Sequence, residues 1–560
     1  MKKIKNSKMK YLILGLSSAA IIGTTFAGCG SSGGGSDSGG TADSGSTTTA
    51  AQSDSQGTST GSDKTLTVAI TQDVGTLNPH SYGSPMCVQS LIYEGMTRYV
   101  DDEVIGGVAE TWDISDDGKE YTFYLDEDNV FSDGTPVNAE IVKKNFDAVL
   151  KYKEDHNWME MFNVLEKVDI VDDYTVKFTL SEPYDGLLQE LSLARPERIG
   201  AEAMFPADGD TKEKIAEPIG SGPWKLSERV EGQYAVFERN ENYHGTVPDF
   251  KYLKLVVIPD INTAANSLKA GEVDMIYDLA GHGTEMTGDT FNELESSGFA
   301  AELSDPVSTN TVALNSADSA TKELEVRQAI SHAIDKESIA ENIYGGMAGT
   351  ADYLMSTDTT YCDFDDLTVY EHDEEKAKEI LEKAGWVMDG DYRKKNGEEL
   401  KLTFIYEGNN DAIKNLGQAL QANLKKVGIN LELKPEDSTV FSESQEKGLF
   451  NVIQSETWGM PFDPYSYFSS FRHASHADYA AQSGIKEKAD IDTAVTDMLH
   501  ATDPKVAEDK SHFILSTLAD EAIYVPLIYT RVPYVYNADV VDNVSFNTTV
   551  DVPFEEFTAK

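Results

Sequence analysis

Leu400-Lys401-Leu402-Thr403-Phe404-Ile405, then Ile413, Leu416, Leu420, Leu424 and Val427 with Gly428 behind them, is the stretch on which the fold class turns. The first run alternates apolar and polar side chains, which is the two-residue period of a half-buried strand. In the second the apolar residues recur every three or four positions and line one face of a helix, and Gly428 is a helix stop. The same pattern recurs on both sides. Ala377, Ile380, Leu381 and Ala384 form another apolar stripe, stopped by Gly385. Thr65–Ile70, Tyr121–Leu125 and Thr175–Leu180 read as strands, and Asn138 to Leu150 carries helical spacing through Ile141, Val142, Phe146, Val149 and Leu150. Strands mixed with helices along the whole chain predict an α/β or α+β body. Asp113-x-Ser115-x-Asp117-Gly118 imitates the start of a calcium loop, but Tyr124 stands where a bidentate Glu is required. It reads as a hairpin with Asp117-Gly118 at its tip.

The beginning of the chain reads as an address. Lys2, Lys3, Lys5, Lys8 and Lys10 form a positive head, Tyr11 to Ala27 is apolar and small, and Phe26-Ala27-Gly28-Cys29 closes the segment. That is the pattern of a lipoprotein signal peptide over residues 1–28, with Cys29 as the lipidated first residue of the mature chain. Residues 29–63 are Cys29 followed by Gly, Ser, Thr, Ala, Asp and Gln almost throughout. Such a segment cannot bury enough apolar surface to offset its chain entropy and is expected to be a tether with a reach of about 30–35 Å. The expected location is the extracellular face of the cell membrane, held by the lipid anchor alone.

About 500 residues follow the tether, more than one compact core holds, so two or more domains are expected. No later run approaches the ~18–20 apolar residues of a membrane span. The formal net charge is −50, which repels phosphate backbones and argues against a nucleic-acid partner. Cys87 and Cys362 are the cysteines left after Cys29, far apart in sequence and read as free thiols. The Gly/Ser-rich tether gives Gly30-Ser31-Ser32-Gly33-Gly34 and Gly57-Thr58-Ser59-Thr60-Gly61 by its composition alone. Beyond the tether the chain has no G-x-S-x-G elbow, and it has no H-E-x-x-H and no Walker glycine loop, so it is not read as an enzyme.

Several blocks in order resemble the family 5 bacterial extracellular solute-binding proteins of peptide and nickel importers. They are Leu77-Asn78-Pro79-His80, Tyr93-Glu94-Gly95, Ala109-Glu110-Thr111-Trp112, Phe131-Ser132-Asp133-Gly134-Thr135-Pro136, Gly220-Ser221-Gly222-Pro223-Trp224, Arg239-Asn240-Glu241-Asn242-Tyr243, Gly271-Glu272-Val273-Asp274, Val326-Arg327-Gln328-Ala329-Ile330 and Lys383-Ala384-Gly385-Trp386. Asp126 stands where the family usually has a basic residue and is expected on a strand surface. The resemblance implies a two-lobed α/β fold of the periplasmic-binding-protein kind, with a hinge and a ligand cleft between the lobes. By analogy lobe I takes 64–306 and returns over 531–560, and lobe II takes 307–530. It also implies an ABC permease and ATPase as partners and a monomeric chain.

Within that family the resemblance to nickel-binding proteins rests on His156-Asn157-Trp158, on Leu188 through Pro196, and on Thr457-Trp458-Gly459-Met460-Pro461-Phe462-Asp463-Pro464 followed by Ser469 to Arg472 and Ser475-His476-Ala477-Asp478. It implies that His476 reaches the metal. Arg195 would pair with a small chelator, and Tyr82, Met86, Trp158, Trp458 and Phe462 would line the pocket. The implied cargo is Ni(II) carried by a small chelator such as free histidine, with no permanent cofactor. The chemistry agrees, because imidazole suits Ni(II) and a guanidinium fork matches a carboxylate.

Departures leave the chelator open. Asp155 and Val550 stand where the nickel proteins have an arginine and a threonine, Phe462 replaces a tyrosine, and His473 is an extra imidazole. The alternative is an oligopeptide- or dipeptide-binding protein of a peptide importer. Many peptide binders hold the ligand's α-ammonium on an Asp three residues before the Asp-Pro of this motif, and here that residue is Met460. Ordinary structural roles stand beside each assignment: a solvated loop histidine for His476, an ion pair for Arg195, core packing for Trp158, Trp458 and Met86, and a structural role for His156.

Overall fold

A computed structural model describes residues 63–100, 103–277, 286–408, 410–545 and 552–560. Cys29, the leader, nearly all of the tether and Val550 lie outside the described residues. The opening stretch forms a β-α-β unit. Strand Lys401–Glu407 leads into helix Asp411–Lys426, and strand Asn430–Glu436 returns parallel to the first, with Leu402 opposite Leu431 and Phe404 opposite Leu433. The Asn410 side chain accepts from the Ile413 amide at 3.0 Å and caps the helix start. Leu416, Leu420 and Leu424 are buried against Leu402 and Phe404. Gly428 holds φ +84°, a conformation that suits glycine, and a Cβ there would lie 2.5 Å from Met388 Sδ.

Two large sheets organise the molecule. The first runs in the order Ala300–Leu303, Pro533–Tyr536, Met275–Tyr277, Thr65–Ile70, Tyr252–Val257, Tyr234–Arg239, Trp224–Val230. The second runs Gly349–Thr350, Tyr524–Thr530, Ser308–Leu314, Val452–Glu456, Lys401–Glu407, Asn430–Glu436. A four-stranded antiparallel sheet of Ala109–Ile114, Glu120–Leu125, Thr175–Leu180 and Leu165–Asp172 completes the first half. The hairpin within it turns at Gly118, at φ +69°. Asp126 falls one residue past the strand surface expected for it and pairs with His244 at 3.5 Å, so the acid is matched by a nearby base.

The chain passes from the first sheet to the second after Leu303 and returns after Thr530. The two crossings run side by side. Ser304 N donates to Val532 O at 3.0 Å, and Val307 N donates to Thr530 O at 2.9 Å. A pair of adjacent, hydrogen-bonded crossings is the construction of a hinge between two lobes. Cys87 and Cys362 are buried and form no disulfide.

Candidate ligand site between the lobes

The wall contributed before the first crossing is built on Tyr82. Trp158 Nε1 donates to the Tyr82 hydroxyl oxygen at 3.1 Å, and that hydroxyl lies 2.7 Å from His156 Nδ1. An indole nitrogen can only donate, so the Tyr82 hydroxyl accepts from it and gives its own proton to His156. Burial holds the His156 imidazole down at about 4, so the ring is neutral and free to accept at Nδ1. His156 therefore props the wall from behind.

Arg195 lies over the Tyr82 ring, its guanidinium carbon 5.3 Å from the ring centroid. Its Nη1 donates to the carbonyls of Tyr82 at 3.1 Å and Ser84 at 2.6 Å. No carboxylate among the described residues pairs with it, and its other donors carry no described hydrogen bond. Met86 begins the helix Met86–Ile92, two residues beyond Ser84, and packs on the large core.

The facing wall is the loop after strand Val452–Glu456. The buried Asp463 carboxylate accepts from the Trp458 amide at 3.2 Å and the Gly459 amide at 2.9 Å, and so fixes the loop from within. Burial lifts that carboxyl to about 6. Gln189 crosses from the other lobe and donates to Pro461 O at 2.7 Å and Asp463 O at 2.9 Å. Gly459 holds φ +74°, and a Cβ would lie 2.2 Å from Val307 O at the hinge. Gly459→Ala is expected to lower stability by at least about 1–2 kcal/mol from the backbone conformation alone. It should also displace Trp458, read as a lowered thermal midpoint with a changed tryptophan emission.

The two walls meet through their rings. Trp458 packs edge-on against Trp158 at 5.2 Å and 82°, and beside His476 at 5.4 Å. Phe462 lies 6.1 Å from Trp458 and 6.2 Å from Trp158. One continuous row thus runs His476, Trp458, Trp158, Tyr82, Arg195, with Phe462 behind it. Tyr82 keeps 40 % of its surface exposed, so the row is open to a ligand. His476 precedes the helix Ala477–Gln482 and its ring makes no described hydrogen bond. Burial lowers its pKa, which leaves a neutral imidazole with a lone pair to give. The extra imidazole, His473, has its Nε2 buried without a hydrogen-bond partner. Asp155 is tied to Lys212 at 2.6 Å, so the reversed charge there is neutralised locally.

Sequence reasoning missed a polar network across the lobes. The buried Glu160 carboxylate accepts from Arg472, from His500 Nε2 at 2.8 Å and from Ser469 Oγ at 3.3 Å. Beside it, buried Glu190 accepts from the Met161 amide at 2.8 Å and from Ser466 Oγ at 2.7 Å. Glu160 and His500 are 340 positions apart, and no local spacing announces such a pair.

Two sheet-centred lobes, a double-crossing hinge and a ring-lined site between them define a two-lobed binding protein of the periplasmic kind. The model of the bacterial extracellular solute-binding proteins, family 5 (middle region), matches residues 103–479, and the chain belongs to that family. It is 36% identical over 496 residues to the nickel-binding periplasmic protein of Escherichia coli K12, covering 88% of this chain and 94% of that one. It is 27% identical to the probable D,D-dipeptide-binding periplasmic protein DdpA of the same organism, over 80% of this chain and 84% of that one. The crystal structure of NikA from Brucella suis in complex with Fe(III)-EDTA superposes with a TM-score of 0.86 at 38% identity, over 89% of this chain and all of that one. The protein is therefore an extracytoplasmic substrate-binding protein of an ABC importer, not an enzyme.

Proposed function

We propose that the protein captures Ni(II) as a complex with a small chelator and delivers it to an ABC permease and ATPase. The observation that carries this reading is the row of rings with an unengaged imidazole, His476, at one end and a guanidinium without a carboxylate, Arg195, at the other. A metal chelate presents both complements, an open coordination position for the imidazole and a carboxylate for the fork. Among the described residues no group of three or more His, Cys, Asp or Glu could hold a metal. A metal at His476 thus takes its remaining ligands from the chelator, for which free histidine is a suitable size and chemistry. Tyr82, Met86, Trp158, Trp458 and Phe462 would form the apolar walls that exclude water and strengthen the polar contacts. The likeness to a nickel-binding relative supports the same choice.

The same reading places lobe I at 64–306 and 531–560 and lobe II at 307–530. It has the chain leave the cell behind a signal peptide of residues 1–28, lipidated at Cys29 and monomeric on its tether. The test is calorimetric titration of the tether-free protein with Ni(II) plus excess L-histidine, then with a mixed peptide pool. One-site saturable binding of the nickel–histidine mixture that disappears in His476→Ala is expected. Binding of peptides with no metal signal would replace nickel by peptide as the cargo.

A further inference from the structure

A second chamber opens beside the ring-lined row. It has a volume of about 70 Å³ and is lined by Ser90, Arg98, Ser192, Tyr243, Pro461 and Glu555 among others. One water needs about 10–15 Å³ by that measure, so the chamber admits a carboxylate-sized group. Three of the segments that build the ligand site also line it. Ser90 lies one turn beyond Met86 on the same helix, Ser192 lies three residues before Arg195, and Pro461 lies between Trp458 and Phe462.

Arg98 is the unusual member. It lies on the strand Thr97–Val100, with its side chain 34% exposed. Its ion-pair partner is Glu555 at 3.8 Å, longer than a hydrogen bond, and the Glu94 and Glu556 carboxylates add to the field that holds its charge. No described residue accepts a hydrogen bond from it. The nearby Glu94 carboxylate, by contrast, is taken by His244 Nε2 at 2.9 Å. A partly buried guanidinium with unused donors, facing a small polar chamber, is the arrangement that receives a planar oxyanion in two-pronged fashion.

We infer that Arg98 and this chamber form a carboxylate subsite of the ligand cleft, receiving an acid arm of the cargo that Arg195 does not hold. The inference rests on the proposed function, since it extends the same bound chelate by one arm. The ligand it predicts carries at least two carboxylates, or two carboxylate-bearing molecules bound to one metal. Two histidines on one nickel satisfy that requirement.

The test is titration of wild type, Arg98→Leu and Arg98→Lys with Ni(II) plus excess L-histidine, and with Ni(II) plus excess imidazole, which has no carboxylate. Circular dichroism checks that the variants fold. Arg98→Leu should weaken the histidine complex about ten- to a hundredfold, as for loss of a hydrogen bond to a charged group. Arg98→Lys should recover part of the loss, and the imidazole complex should be unchanged. Equal affinity of wild type and Arg98→Leu for the histidine complex overturns the subsite and leaves the nickel reading standing. If wild type binds neither nickel complex, the nickel reading falls, and a peptide pool titrated into both proteins decides the subsite. A loss in Arg98→Leu then supports it, and equal binding overturns it.

Discussion

Glu160→Ala is expected to cost about 3–5 kcal/mol, because removing one partner of a buried ion pair strands the other. Glu160 is 2% exposed and belongs to the half of the chain before the first crossing. Its partners Arg472, His500 and Ser469 belong to the segment between the crossings. Arg472 keeps Thr496 Oγ1 at 3.0 Å in the variant but loses its carboxylate. Because the contacts join the segments before and after the first crossing, which also supply the two walls of the site, ligand affinity should drop along with the thermal midpoint. Urea denaturation with and without Ni(II)–L-histidine separates the two effects. A midpoint within experimental error of wild type would show that the network does not hold the lobes together. The double variant Glu160→Ala, Arg472→Ala should lose less than the sum of the two single losses, the signature of a coupled pair.

The second large effect is on pH dependence. Burial pushes the Glu190 carboxyl up from 4.5 to about 7, with the ionised Glu160 adding to the rise and the Met161 amide, Ser466 and Tyr184 opposing it. The folded state therefore holds this proton more tightly than the unfolded chain does. Its contribution to stability is complete below pH 4.5 and is lost as pH rises through about 7. The loss is on the order of 3 kcal/mol. Glu160 has the opposite sign. Burial raises its pKa, but the His500 hydrogen bond and the Arg472 charge outweigh burial and bring it to about 2. That contribution is present above pH 4.5 and disappears as pH falls through about 2. Denaturant midpoints measured from pH 3 to pH 8, in roughly one-unit steps, should fall on both sides of a maximum near pH 5. Glu190→Gln should make the alkaline limb shallower and leave the acid limb, since the buried Glu197 and Asp463 carboxyls are raised too. An alkaline limb of unchanged slope in Glu190→Gln would assign the proton elsewhere, with the buried Glu197, lifted well above the usual carboxylate range, as the next candidate.

Much of this molecule was legible before any coordinates. The helix over Asp411–Lys426 follows from leucines at helical spacing between Asn410 and Gly428, and Thr65–Ile70 and Thr175–Leu180 form the strands their alternation predicts. These are local outcomes, settled by side-chain periodicity and backbone freedom within a few residues. The residues Tyr82, Trp158, Arg195, Trp458, Phe462 and His476 came from the resemblance to nickel-binding members of the family, since neither periodicity nor spacing marks them. What the blocks left open was how the residues meet. That His476, Trp458, Trp158, Tyr82 and Arg195 form one row depends on segments hundreds of positions apart, brought together by the hinge.

The chain by itself determined the mixed α/β elements, their caps and stops, and the residue types offered to the site, since each depends on interactions between near neighbours. The tertiary structure alone decided that Glu160 meets Arg472 and His500, that His156 supports Tyr82, and that Arg98 faces a chamber. Charge pairing and burial depend on distance in space. A residue's distance along the chain carries no record of which lobe will close against it.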